Sequence, residues 1–537
     1  MKTAVQMKIN QENLVKTLRL SFSNKDTFLG ELLQNSRRAG ARFVDITFHG
    51  GVLTVKDDGC GVGDFQKLLT VAESGWDLET VEREHPFGIG FLSALYACKR
   101  IAVTSGGLAL AAETADILSF KPVALAAARR SAGTVIAMEG VGLGVDGVRT
   151  QLTDLAKGFP IPVAFNGQGL PRPHALTGDL PFVATEAGEM SLSGLNAEGK
   201  GWPVTTRFVC YLQGLPIYRS PSYDYSGDRA NVIHLDSKVF HARLPDRDKL
   251  IDESAAISGI RDTLRREAMA QLKRVKESLP PEAFAEGYET ISLWQGIELL
   301  NDVDVLPRHV LRLIADYPCI DNGENYFLEM PKNHATRQDV EAGTLRIAVI
   351  SEDVDGESGA LPWMFAWKKD ISIFQGNLDK GHWLHPHVQD LDQAMPDVSL
   401  EFVGETHRAY FDGEWVSGTA VFCDAYRIKL GQDSVEITDS ALYDKLDGVF
   451  AVPFKDPSGL VVGQASGYRD DDQYQESTYL GDVDLFNKFA VANTSKDPAE
   501  ALKRLLPPLQ NCPQLYGRRF VVTIGEGGSV VDISIAA

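Results

Sequence analysis

The chain has 537 residues, 44% of them apolar, enough for two to four domains with cores of their own. Its 73 acidic against 53 basic residues leave a net charge of −20. That balance disfavours a nucleic-acid duplex as the main partner, because binding phosphate needs a basic footprint. Cys60, Cys98, Cys210, Cys319, Cys423 and Cys512 lie far apart with no Cys-x-x-Cys pair, so neither a zinc knuckle nor a disulfide framework is indicated. Reduced thiols in a cytoplasm fit that usage. No run reaches the ~18–20 apolar residues of a membrane span, and Leu108–Ala127 is broken by Glu113, Asp116 and Lys121. Met1–Gln11 lacks the apolar stretch of a signal peptide.

In chain order, Leu14, Leu18 and Phe22 repeat at helical spacing and predict a short helix over 11–22. Asn24 to Asn35 predicts a second, with Asn24 or Asp26 as cap and Phe28, Leu29, Leu32 and Leu33 as its apolar face. Glu31 and Asn35 are four apart and therefore share a side of that helix. An amide oxygen is a hard ligand suited to Mg²⁺, and a carboxylate beside it can orient or deprotonate a water. Two polar residues on a surface helix are the plainer reading of this pair taken alone.

Val44, Ile46 and Phe48 alternate, Gly50-Gly51 turns, and Leu53, Val55 and Asp57 alternate back, which predicts a hairpin with Asp57 at a strand end facing inward. A carboxylate there can accept from the exocyclic amine of adenine. Gly59 and Gly61 let the backbone approach the base closely. The polar stretch from Asp64 to Pro86 reads as a mobile cover. Phe87-Gly88-Ile89-Gly90-Phe91 opens an apolar helix over 91–97, and a glycine turn at a helix start offers free N–H groups to phosphate. Strands are expected within 103–119 and at Thr134–Met138, a helix at Val148–Ala156, and a further strand over Phe159–Val163. There is no P-loop lysine motif, so phosphate charge would be met by Mg²⁺, backbone N–H groups and a residue from elsewhere.

The order and spacing of Glu31/Asn35, Asp57-Asp58-Gly59-Cys60-Gly61, Gly88-Ile89-Gly90 and Gly133-Thr134 resemble the Bergerat-fold nucleotide site of the GHKL ATPases. Within them the likeness is greatest to the ninety-kilodalton heat-shock chaperones, through Ser23–Ala39, Thr70–Gly75 and Phe87–Ala94. The resemblance implies an α/β (α+β) architecture, with a two-layer Bergerat sandwich over 1–166 and a middle α/β domain over 202–330; the Gly-, Pro- and Ser-rich stretch 167–201 reads as a linker between them, and the mixed pattern over 331–537 as a C-terminal α/β domain to which no role is assigned. It implies Glu31 as the residue that activates water, Asn35 as the Mg²⁺ ligand and Asp57 as the adenine carboxylate. Gly59, Gly61, Gly88, Gly90 and Phe91 would line the nucleotide, and Thr134 would stand near the base. Leu244-Pro245-Asp246-Arg247 before a long amphipathic helix (Ile257, Ile260, Leu264, Ala268, Leu272, Val275) is similar to the chaperones' middle domain, where an arginine reaches the γ-phosphate. Arg247 takes that place here.

Three positions depart from the family: Arg38 for an aspartate, Lys67 for an asparagine and Glu73 for a lysine. The resemblance fades after Leu279, and no dimerisation region of the chaperone type is legible, although an ATP-dependent homodimer stays open. Asp470-Asp471-Asp472 and His385/His387 read as loops, and Arg518–Ile533 as a closing hairpin around Gly525–Gly528. The expected activity is ATP binding and hydrolysis with Mg²⁺, acting on a protein client. The alternatives are a MutL- or topoisomerase-like DNA-processing ATPase, or a nucleotide-gated switch in a phage-related or defence assembly. No phospho-acceptor histidine helix or sensor precedes the site, which argues against a histidine kinase.

Overall fold

The computed structural model describes residues 10, 13–15, 17, 18, 27–71, 76, 90–221, 229–243, 248–321, 325–393, 397–455, 459–467, 476–507 and 509–536. The protein is mixed α/β and divides into two units, one of 1–279 with 290–296, the other of 280–289 with 297–537.

The first unit is built on an eight-stranded sheet. Its strands are β1 (Val44–His49), β2 (Val52–Asp57), β3 (Arg100–Ser105), β4 (Leu108–Glu113), β5 (Leu125–Ala127), β6 (Thr134–Glu139), β7 (Val163–Phe165) and β8 (Gln168–Gly169). They lie in the order β5-β4-β3-β6-β2-β1-β7-β8, antiparallel except for β1 beside β7. The alternation in β1 and β2 works as the spacing predicts. Val44, Ile46, Phe48, Leu53 and Val55 are buried, and Gly50 and Gly51 both take the positive φ of a two-residue hairpin turn. Among the described residues, α1 (Thr27–Arg38), α2 (Gly90–Ala97) and α3 (Val145–Ala156) close the core over these side chains. From α1 come Phe28, Leu29, Leu32 and Leu33, from α2 Leu92 and Leu95, and from α3 Val148 and Leu152.

The departures from expectation are local. The helix over Asn24–Asn35 runs three residues further, to Arg38, while Asn24 and Asp26 lie outside the described residues. In the preceding segment Val15 is the buried side chain and Leu14 is exposed. After β4 the chain turns into a short helix, Thr114–Leu118, rather than remaining extended. Of the predicted Phe159–Val163 strand only Val163 pairs, and the strand runs on to Phe165. Pro160 and Pro162 lack the N–H donors a ladder needs, and Phe159 packs into the core instead.

The stretch 167–201, read as a linker, carries β8 and two strands of a second sheet, β9 (Val183–Thr185) and β10 (Gly188–Ser191). With β11 (Phe208–Leu212), β12 (Leu215–Arg219) and β13 (Asn231–Leu235) they form the order β12-β11-β13-β10-β9. Its glycines, prolines and serines punctuate turns between short strands. The buried Gln271 amide donates to the carbonyls of Gly199 and Gly201, pinning that stretch to α4 (Glu253–Ser278). The buried side of α4 is the predicted one, from Ile257 to Val275.

The second unit holds a five-stranded sheet over 311–390 and a second one organised by a long hairpin, Ser399–Asp412 with Ser417–Leu430. The apolar helix Leu361–Lys368 packs between strands of both sheets in one core. At the turn of the long hairpin, the N–H groups of Glu414, Trp415 and Val416 donate to the buried carboxylate of Asp482, from the helix Glu476–Thr494. The predicted closing hairpin forms as Phe520–Ile524 with Val530–Ile535. Asp470, Asp471 and Asp472 lie outside the described residues.

Candidate functional site

Asp57, Gly59, Gly61 and Thr134 gather at one end of the central strands of the first sheet, beside the last turn of α1. The β2 alternation turns Asp57 inward, and it is 8% exposed. Its Oδ1 accepts from the N–H of Gly59 at 2.9 Å and of Thr134 at 3.3 Å, while Ser36 Oγ stands 3.3 Å from Oδ2. The Ser36 hydroxyl also reaches the carbonyl of Leu32 at 3.2 Å, so its single proton is shared. Oδ2 thus keeps acceptor capacity for a donor from outside the chain. The neighbouring Asp58 points the other way. It accepts from the N–H groups of Arg42 and Phe43, and the Arg42 N–H above all holds its carboxyl below the usual range. Of the pair, only Asp57 faces the site.

Registry explains why Thr134 arrives there. Lys56 pairs with Val135, and Ser105 pairs with Thr134, so the ends of β2, β6 and β3 coincide. Gly133 makes the close approach possible. It has φ +74°, and a Cβ there would stand 1.9 Å from the Asp57 carbonyl oxygen. The buried Ser105 hydroxyl then straps the loop after Asp57 in place. It accepts from the Val62 N–H and donates to the Gly133 carbonyl, both at 2.9 Å. Gly61, at φ +79°, passes so close that a Cβ would lie 2.6 Å from Ser105 Oγ. Gly59 presses on Ala39 beyond the end of α1, where the Cys60 N–H donates to the Ala39 carbonyl. The Thr134 hydroxyl makes no hydrogen bond among the described residues.

On α1, Glu31 is 6% exposed and the Asn35 side chain, one turn on, is half-buried. Gly90 abuts Glu31 directly: a Cβ at Gly90 would sit 2.2 Å from Glu31 Oε2. Gly90 and the carboxylate, 59 positions apart, are therefore in contact across the α1–α2 packing. Phe91 puts its ring into the core, leaving only its backbone available to a ligand. Glu31 also faces a cleft of about 410 Å³ shared with Gln34, Asp154, Pro216, Ala242 and Asp248. Asp57 and Thr134 do not line that cleft.

Gly88, Glu73 and Arg247 lie outside the described residues. Ala242 and Asp248, which flank 244–247, are described and both line the cleft with Glu31. Lys67 is exposed on the helix Phe65–Leu69, and Arg38 is half-buried in the last turn of α1. Sequence reasoning missed Ser36, Ser105 and Gln34. Ser36 adjoins Asn35 and could have been suspected from position, whereas nothing local marks Ser105 or Gln34.

Two other features bear on chemistry. Burial pushes the Cys98 thiol, at the end of α2, up to about 12, which leaves it a packing group. Among the described residues, no group of three His, Cys, Asp or Glu side chains could hold a metal ion, so a cation here would need oxygen ligands of the Asn35 kind and a ligand's own oxygens. No described helix is long and apolar enough to cross a membrane. No family model matches the chain, and no curated protein matches it either.

Proposed function

We propose that the first unit binds Mg-ATP and hydrolyses it in the manner of the GHKL ATPases, with residues 1–166 as a Bergerat-type domain. The observation that carries this reading is the junction at the sheet end. A buried carboxylate, Asp57, is steadied by two backbone N–H groups and retains an acceptor position, across from a helix bearing Glu31 and Asn35. The helices α1, α2 and α3, layered on one face of the sheet, also support it.

In this reading Asp57 Oδ2 accepts from the exocyclic amine of adenine, which guanine does not present at that place. Gly59, Gly61 and Gly133 let backbone rather than side chains meet the base. Asn35 would hold Mg²⁺ through its amide oxygen, and the ion would supply charge neutralisation at the phosphates. Glu31, confined by Gly90, orients a water and takes its proton. Gly88, Gly90 and the Phe91 backbone would meet phosphate, and Arg247 would add permanent charge there. We place the protein in the cytoplasm, a reading supported by six free cysteines. Its output would be conformational change on a protein client.

The test is Mg²⁺-dependent ATP hydrolysis by wild type and Glu31→Ala, with and without duplex DNA. The expected result is a loss of at least about 100-fold in turnover with ATP affinity retained, indifferent to DNA. Undiminished turnover in Glu31→Ala would remove the mechanism. Strong stimulation by DNA would replace the chaperone-like reading with a DNA-processing one. ATP binding without any turnover would make the protein a nucleotide-gated switch.

A further inference from the structure

Gln34 is 1% exposed and lines the cleft with Glu31, yet it takes no part in the contacts around Asp57. Its Nε2 donates to the Gln213 carbonyl at 3.0 Å, across 179 positions, and its Oε1 accepts from Arg37 Nε at 2.8 Å. Gln213 is the first turn residue of the β11–β12 hairpin. Leu212 pairs with Leu215, and Gln213 and Gly214 take φ +53° and +84°, the two positive values of a two-residue hairpin loop. A glutamine in that conformation is unusual, and the turn is held by everything around it.

The hairpin is seated on the first sheet's helix layer at several points. A Cβ at Gly214 would lie 2.4 Å from Pro160 Cδ, and one at Gly158 would lie 2.3 Å from the buried Tyr211 ring. Arg219, at the far end of β12, grips both carboxylate oxygens of Asp154 on α3 at 2.5 and 2.6 Å. Leu215 packs on Gly30, where a Cβ would lie 3.4 Å from Leu215 Cδ1. Gln34 lies four residues from Gly30 and three from Glu31, so it neighbours both on the surface of α1. That surface meets the hairpin through Gly30 and Gln34, while the Glu31 carboxylate is stopped by Gly90 from α2.

We infer that Gln34 is a positioning residue. Through the Gln213 carbonyl it ties the side of α1 that carries Glu31 to the β11–β12 hairpin, so the second sheet sets where the Glu31 carboxylate stands. Packing alone leaves α1 free to slide or turn slightly on Leu215, because apolar contact is non-directional. A buried amide with one donor on a rigid turn carbonyl removes that freedom. By linkage, a nucleotide that engages α1 also reports to the hairpin. The inference rests on the nucleotide reading of the Glu31 site.

The experiment uses full-length wild type, Gln34→Leu and Gln34→Glu. Leucine fills the space without either hydrogen bond, and glutamate keeps the acceptor for Arg37 but cannot donate to Gln213. Titration with a non-hydrolysable ATP analogue and Mg²⁺ reads affinity, steady-state hydrolysis reads kcat, and hydrogen exchange reads the β11–β12 amides with and without the analogue. Both variants are expected to bind the analogue within about twofold of wild type and to lose about tenfold in kcat, as a small misplacement of a catalytic group does. The analogue should change exchange at β11–β12 in wild type and not in the variants. Wild-type kcat in both variants, or a fall in affinity as large as the fall in kcat, would overturn the positioning role. Loss of protection throughout the first unit in both variants would also overturn it, by making Gln34 merely structural. Absence of analogue binding by wild type would overturn the nucleotide reading itself, an outcome separate from either variant's behaviour.

Discussion

Asp57 in the first unit and Asp482 in the second are both buried carboxylates held by backbone N–H groups, and they serve different ends. Asp482, 3% exposed, spends both oxygens on three consecutive N–H groups of one hairpin turn, Glu414 to Val416. Gly413 closes over it, since a Cβ there would lie 2.8 Å from Asp482 Oδ2. Every strong donor comes from one segment, and the result is a pin. Asp57, at the end of β2, gathers groups from α1, β6 and the loop after β2, and only Oδ1 is engaged by backbone N–H groups. Burial and hydrogen bonding alone therefore do not mark a site. What sets Asp57 apart is the convergence of several elements on a carboxylate that keeps an unspent lone pair.

The comparison breaks most visibly at the pin. Asp482→Ala strands the three N–H donors that the buried carboxylate serves, and we expect the second unit to lose about 3 kcal/mol or more, read as a shift in denaturant midpoint. A midpoint within experimental error of wild type would mean that the turn holds itself.

A second buried polar group in that unit sharpens the contrast through pH. His382 is 2% exposed, accepts the Leu384 N–H on Nδ1, and leaves Nε2 buried with no hydrogen-bond partner among the described residues. Burial, aided by His385 and Arg337, pushes its pKa down to about 4. A histidine whose folded pKa is depressed favours folding while neutral. Its contribution is whole above the unfolded value of ~6.5 and is lost as pH falls from there towards about 4. The loss is on the order of 3 kcal/mol, visible as a falling unfolding free energy over that window. His382→Gln should flatten the slope, and an unchanged slope would assign the pH dependence to other groups.

The smallest expected effect on folding belongs to the site. Asp57→Asn can keep its Oδ1 contacts while turning an NH₂ toward the donor that Oδ2 would accept. We expect adenine-nucleotide affinity to fall about 100-fold, with thermal stability nearly unchanged, because a site left with mismatched donors rejects its ligand strongly. Equal losses of affinity and stability would make Asp57 a second Asp482.

Much of this was legible along the chain. Two-residue alternation announced the β1–β2 hairpin and the inward Asp57, and helical spacing announced the buried faces of α1 and α4. Gly133 was readable as a glycine before a strand, though its reason, the 1.9 Å approach to Asp57, was not. The stretch 167–201 misleads because turn-forming residues look alike in a linker and between short strands. Nothing near Ser105 distinguishes it from any strand-end serine, since its role depends on the registry of β3 with β6.

The division follows from the range of the forces involved. Periodicity, turn chemistry and helix spacing act within a few residues, so the sequence by itself determined which segments become strands and helices and which of their sides are apolar. Contacts between distant segments depend on how whole layers settle against one another. Only the tertiary structure decided that Gly90 would press on Glu31, that Ser105 would strap the loop after Asp57, and that Gln34 would find the carbonyl of Gln213.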